Sequence, residues 1–325
     1  MDDPAERCGY EWPADCERVP AQPNETLRSS CCARRTVGAD TERCLWHAHN
    51  GEIPIGTTGL SGGCKSQEAR DSPDPFDHPV NGAILAECDL ADVDSLSGVS
   101  LRGSDLSNTD LTGVDLSNTR LDYADLSGAT LTNADLTGAD LRRTDLSGAT
   151  LENADLSGAK MKNANLSKGN FRRADLSGGI LYGADLSEAY LGRANLSGAN
   201  LESVDLTEAN LGRANIHAAV LGRADLTRAT LQGSDLSEAT LSRADLRKAT
   251  LYKTDMSGAY LGRVDLRGAN LRESDLRKVN LGHANLTGAT LRECDLTEAT
   301  LGRADLTKAD LGCANLTKAT LQESN

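Results

Sequence analysis

Ala134-Asp135-Leu136-Thr137-Gly138-Ala139-Asp140-Leu141-Arg142-Arg143 states one five-residue phrase twice: small, polar, Leu, then two variable residues. The phrase does not stop there. Leu recurs at every fifth position from Leu96 to Leu321, where 46 positions hold 42 Leu and the exceptions are Met161, Phe171, Ile216 and Met256. With the central residue called i, position i−2 is nearly always small or β-branched, as at Ala129, Val204, Gly169, Ser234 and Cys294. Position i−1 is polar, usually Asp, Asn or Thr. No insertion interrupts the run after Leu96.

A helix cannot use this period. At about 100° per residue, five residues advance roughly 500°, and successive Leu side chains would drift around the whole surface. A flat strand fails as well, because a step of five reverses the face each time. The period fits a chain that turns a corner every five residues, so that every Leu returns to a narrow interior. Only small side chains fit beside those Leu, which accounts for i−2. It also accounts for a composition with 3% aromatic residues, too few rings for an ordinary core of this length.

Runs such as Ala134-Asp135-Leu136-Thr137-Gly138 and Ala184-Asp185-Leu186-Ser187-Glu188 resemble the pentapeptide-repeat family. The resemblance implies an all-β fold, a right-handed quadrilateral β-helix with four sides and twenty residues per coil. Each layer of Leu would then be buried only by the coils above and below it. Eleven to twelve coils at ~4.8 Å give a rod about 55 Å long. Repeats begin weakly at Ala83-Ile84-Leu85 and Cys88-Asp89-Leu90, and the six-residue step from Leu90 to Leu96 predicts a bulge in the first coil.

A period of ten is superposed on the period of five. From 105 to 315 every position ending in 5 is Asp or Asn, while positions ending in 0 vary. In a twenty-residue coil this makes opposite sides alike and adjacent sides different. Columns such as Asp185, Asp205, Asp225, Asp245 and Asp265 then stack at the coil spacing. Arg143, Arg173, Arg223, Arg243, Arg263 and Arg303 each stand two residues before an Asp, and the expectation is that these pairs neutralise the columns.

The net charge of −14 divides unevenly: residues 1–95 carry 18 acids and 8 bases, residues 96–325 carry 30 acids and 26 bases. Of 34 basic residues only 9 are Lys, an acidic, Lys-poor balance that fits a salt-adapted, halophilic cytosol. No apolar run is long enough to span a membrane, and Met1-Asp2-Asp3-Pro4 does not open a secretory signal, so the expected location is cytoplasmic.

Residues 1–50 differ in kind, with no repeat, both Trp and five of the nine Cys. Cys44-Leu45-Trp46-His47 has the gap that turns a Cys and a His onto one metal ion, with Cys8, Cys16, Cys31 and Cys32 available to complete a tetrahedral site. The segment is similar to the N-terminal part of pentapeptide proteins from salt-adapted microbes. That similarity implies a structural zinc held by Cys8, Cys32, Cys44 and His47, with Cys31 as the alternative middle ligand. Residues 51–82 read as a linker, and 83–325 as the solenoid.

Catalysis has little to stand on. The solenoid holds two His, His217 and His283, both outward, and no nucleophile elbow, phosphate loop or HExxH. Cys294 takes an i−2 slot and reads as core; Cys313 reads as an exposed thiol. The expected function is a non-catalytic scaffold or protein-interaction module, with an unidentified protein partner and end-to-end or homodimeric association through the last coil. The resemblance carries an alternative, a DNA mimic that binds a topoisomerase such as DNA gyrase. A chain at −4 over the whole solenoid weighs against it unless one face is far more acidic than the rest. Binding of nucleic acid itself is not expected, because the Arg stand beside Asp and lack stacking partners.

Overall fold

The computed structural model describes Gly82, Leu85, Ala86, Asp89 to Ala91, Val93 and residues 95–325. Each five-residue unit makes one side of a coil. The i−1 residue of each side forms a parallel bridge to the residue twenty positions on, as in Asp105↔Asp125, Asp110↔Thr130, Asp115↔Asp135 and Arg120↔Asp140. The expected four-sided coil of twenty residues is what forms. Its walls are ladders of single-residue bridges rather than extended strands, because the two residues after every Leu are turn.

Backbone bonding explains why the phrase repeats without change. Leu106 N–H donates to Asp125 O at 2.7 Å, Asn108 N–H to Ser127 O at 2.9 Å, and Asp125 N–H to Ser104 O at 2.8 Å. Thr109 N–H closes the corner onto Leu106 O at 3.2 Å. Four of five amides per unit are thereby satisfied, as buried or half-buried amides must be. The i+2 residue turns the corner in the left-handed region, for example Asn108 at φ 54°, Gly138 at 66° and Arg223 at 60°.

The core is the stack of central residues, and from Leu106 to Leu301 all of them are buried. Position i−2 lies beside them, and its threonine hydroxyls donate to the preceding coil, Thr119 Oγ1 to Leu96 O at 3.0 Å and Thr144 Oγ1 to Leu121 O at 2.6 Å, whereas Ser234 Oγ donates to Leu231 O of the adjoining side at 2.7 Å. Cys294 Sγ makes the same contact with Leu271 O at 2.9 Å, and burial pushes its thiol up to about 11. The extra residue of the first coil is visible in register, since Asp89 pairs with Asp110 at an offset of 21 whereas Ser95 pairs with Asp115 at 20.

Candidate binding faces of the solenoid

Bridging assigns every surface residue to one of four sides. The first side carries Leu96, Leu116 and so on; the second Leu101, Leu121; the third Leu106, Leu126; the fourth Leu111, Leu131. Counted this way, the near-neutral solenoid is strongly sorted. The first side has 10 acids and 3 bases, the third 11 acids and 6 bases, the second 4 acids and 10 bases, and the fourth 5 acids and 7 bases. Net charges are therefore −7, −5, +6 and +2.

The Asp and Asn of the acidic sides complete the backbone accounting. On the first and third sides every i+1 amide, the fifth of each unit, donates to the side chain at i−1. Examples are Ser157 N–H to Asp155 Oδ1 at 2.8 Å and Thr207 N–H to Asp205 Oδ1 at 2.8 Å. A short carboxylate or amide two residues back is the side chain that reaches. These bonds also act on the carboxyl groups. Hydrogen bonds from the Thr307 hydroxyl and amide hold Asp305 below the usual carboxylate range.

The expected Arg–Asp pairing runs the other way. Arg142 binds Asp140, Arg247 binds Asp245, Arg267 binds Asp265 and Arg277 binds Asp275, so the base follows its carboxylate by two residues. The i+1 side chain lies over the i−1 carboxylate because its own amide is already bonded there. The i+2 Arg sits past the left-handed corner and reaches along the rod instead. Arg303 meets Glu323 of the next coil at 2.6 Å, and Arg143 donates to Tyr123 Oη at 3.2 Å. Arg223, Arg243 and Arg263 form no ion pair among the described residues. The carboxylate columns are thus neutralised in part by other bases than those expected, and the corner residues Arg223, Arg243 and Arg263 stay outside those pairs.

The second side departs from the pattern in three ways. The i+1 amides of Arg142, Glu202 and Gly282 find an i−1 acceptor, whereas those of Gly222, Ser242, Gly262 and Gly302 do not. Six of the seven exposed large apolar side chains of the described residues stand on it: Tyr123, Ile180, Tyr182, Val220, Tyr260 and Leu321. Two of its three tyrosines are flanked by cations, with Arg102 and Arg143 each 5.5 Å from the Tyr123 ring centre and Lys162 at 5.2 Å from that of Tyr182. None of this sorting is visible until residues are placed modulo twenty.

Of the two His, His217 Nδ1 is 2.9 Å from Ser237 Oγ. The same hydroxyl gives its proton to Asp235 Oδ1 at 2.6 Å, so the carboxylate and not the imidazole takes it. That order is not the one a nucleophile needs, in which the base stands between hydroxyl and carboxylate. A shallow open groove of about 410 Å³ on the third side is lined by Glu208, Arg228, Arg247 and Arg267, whose charges are paired, and by Lys248, which forms no ion pair among the described residues. Cys294 is buried and Cys313 exposed, as the repeat position implies. Cys8, Cys32, Cys44 and His47, with Cys16 and Cys31, lie outside the described residues. Among the described residues no helix is long and apolar enough to cross a membrane.

The chain belongs to the family of pentapeptide repeats, matched in eight copies from residues 80–121 to 284–322. Membership gives the coil its right hand, and the fold is a right-handed β-helix. Among solved structures it is similar to HetL, a pentapeptide repeat protein involved in heterocyst differentiation regulation from the cyanobacterium Nostoc sp. strain PCC 7120. The identity is 34% over 70% of this chain and 89% of that one, with a TM-score of 0.39. It is similar to QnrB1, a plasmid-mediated fluoroquinolone resistance protein, at 23% identity over 66% of this chain and 87% of that one, TM-score 0.27. A third is Rfr23 from the cyanobacterium Cyanothece 51142, at 30% identity over 40% and 89%, TM-score 0.23. No curated protein matches.

Proposed function

We propose that this chain is a non-catalytic scaffold that binds protein partners along the sides of its rod. The observation that carries the reading is the sorting of charge: −7, +6, −5 and +2 around one coil gives four chemically different surfaces on a rigid support. A rod whose coils contact only their neighbours offers a partner long flat faces. The acidic, Lys-poor composition supports a salt-rich cytosol as the setting.

Four full-length variants, each reversing charges on one side, test the reading by comparative capture from the native cytosol. The expected result is loss of a defined set of proteins with one variant and its retention with the other three. Identical capture by all four, or turnover of any substrate by the purified chain, overturns it.

The acidity of the first side is the one observation that favours a duplex mimic. A duplex carries one charge per ~1.7 Å, so about 55 Å of it holds roughly 32 negative charges. The first side holds a net 7 over the same length, with a basic side next to it. The chain is therefore expected not to inhibit DNA gyrase supercoiling. Inhibition that disappears on changing Asp115, Asp135 and Asp155 to Asn would put mimicry first.

The N-terminal module completes the proposal. Three thiolates and an imidazole, Cys8, Cys32, Cys44 and His47, are a donor set suited to tetrahedral zinc. Four protein ligands leave no open position, so the ion would contribute folding energy to residues 1–50 and no chemistry. About one zinc per chain is expected by elemental analysis. No metal, together with complete blocking of the native N-terminal thiols by a thiol reagent, would remove the site.

A further inference from the structure

We propose that the second side of the rod is the docking face for an extended acidic polypeptide segment, gripped by the ladder Arg223–Arg243–Arg263. The proposal rests on the protein-binding reading above and names the chemistry of the partner. The three Arg occupy the same corner of successive coils, about 4.8 Å apart, at φ 60°, 60° and 61°. A non-Gly residue in that conformation is strained, and here the strain holds a cation outward where no carboxylate of the described residues pairs with it.

Beside the ladder runs a row of backbone donors. The amides of Gly222, Ser242 and Gly262 have no acceptor among the described residues, because Val220, Thr240 and Tyr260 stand where Asp stands on the acidic sides. Cations and unpaired N–H groups in parallel rows call for a partner rich in acceptors, and carboxylates fit both.

The apolar groups narrow the class. A β-carbon at Gly262 would meet Tyr260 Oη at 2.8 Å and Cζ at 2.9 Å, so the outer end of the ring lies over the glycine, and the residue is half exposed. An exposed Tyr on the side that carries the Arg ladder, with Val220 two coils before it in the same column, has the composition of a protein-binding hot spot. A phosphate backbone has no use for an aliphatic side chain. A duplex, far wider than one five-residue side, would also lap onto Asp225, Asp245 and Asp265 just past the corner. An extended peptide of about six residues spans the ladder and the coils flanking it without touching those columns.

The test is fluorescence anisotropy with the full-length chain and two labelled probes: a twelve-residue Asp/Glu peptide containing two Leu, and a twelve-nucleotide oligo-dT. The variant Arg223→Glu/Arg243→Glu/Arg263→Glu is compared with Arg173→Glu/Arg193→Glu/Arg213→Glu, a matched corner ladder on the fourth side. Thermal melts confirm that both remain folded. The peptide is expected to bind at low ionic strength and to weaken at about 0.3 M salt. The second-side variant is expected to lose roughly tenfold in affinity and the fourth-side variant less than about twofold. Equal losses in the two variants, or tighter binding of the oligonucleotide, overturn the proposal. Absence of peptide binding at low ionic strength also overturns it, and leaves the scaffold reading to be decided by the four-side comparison.

Discussion

Gly169 and Phe171 make room for each other. A β-carbon at Gly169 would stand 2.5 Å from Phe171 Cε2 and 3.2 Å from its Cζ, and Phe171 is fully buried where nearly every other unit has Leu. The pair keeps the interior filled while its shape is locally changed: one more ring at i, one fewer methyl at i−2.

Gly169→Ala should therefore destabilise the rod by about 1–3 kcal/mol through overpacking. Gly169→Ala/Phe171→Leu restores the usual phrase and should recover most of that loss, so the two effects are coupled rather than additive. Denaturant melts of the two single variants and the double variant measure the coupling, and simple additivity would separate the two positions.

Leu206 is fully buried and Glu208, two residues on, is exposed and paired with Arg228 at 2.9 Å. Leu206→Asp places an unpaired charge between Leu layers and should cost about 3 kcal/mol or more. Glu208→Asp should cost roughly 0.5 kcal/mol or less, as expected of an exposed pair. Equal shifts in thermal midpoint would contradict the inward assignment of the column.

The acid limit of the rod follows from its carboxylates. The Arg277 side chain holds Asp275 below its ordinary value of 3.8, and hydrogen bonds from Thr307 do the same for Asp305. A carboxyl with a depressed folded-state pKa contributes stability that is complete above the unfolded value. That stability is lost as pH falls through the folded one. The thermal midpoint should be flat from about pH 7 to 5 and fall below about pH 4, less steeply in Asp275→Asn. A decline that begins above about pH 5 would assign acid sensitivity to other groups.

Thiol reactivity separates the two solenoid cysteines. Cys294 is buried with its thiol pushed up to about 11 by desolvation, whereas Cys313 is exposed. Maleimide at neutral pH should modify Cys313 in the folded protein and reach Cys294 only after denaturation, read by peptide mass. Modification of Cys294 at the same rate would mean that its coil opens readily.

The architecture could be read from the chain because the Leu period of five is compatible with neither helix nor strand, and one side chain per unit reports it. Phe171 and Gly169 were both visible as departures from the phrase. Their mutual dependence was not, since it needs a distance. The Asp column was legible as a period of ten, but its purpose, closing the fifth amide of each unit on the first and third sides, appears only when Ser157 N–H is seen on Asp155. The direction of the Arg–Asp pairs was misread, because sequence separation is symmetric and the left-handed corner is not. The basic, tyrosine-bearing side escaped notice for a related reason: Arg223, Arg243 and Arg263 stand twenty residues apart in the chain and become neighbours only from coil to coil along the rod.

The five-residue side and the twenty-residue coil together give this molecule something like a reading frame. Removing twenty residues would shorten the rod by one coil, about 4.8 Å, and leave every downstream side chain facing as before. Removing five would keep every Leu inside and every Asp bonded to its amide. Everything beyond the deletion would nevertheless turn by a quarter, bringing acidic columns into line with the upstream basic side. The odd residue between Leu90 and Leu96 is absorbed in the first coil, ahead of all the charged columns, so the phase of the remaining length is untouched. A change of length by whole five-residue units therefore either leaves the faces in line or exchanges one surface for another, with the buried Leu column intact in both cases.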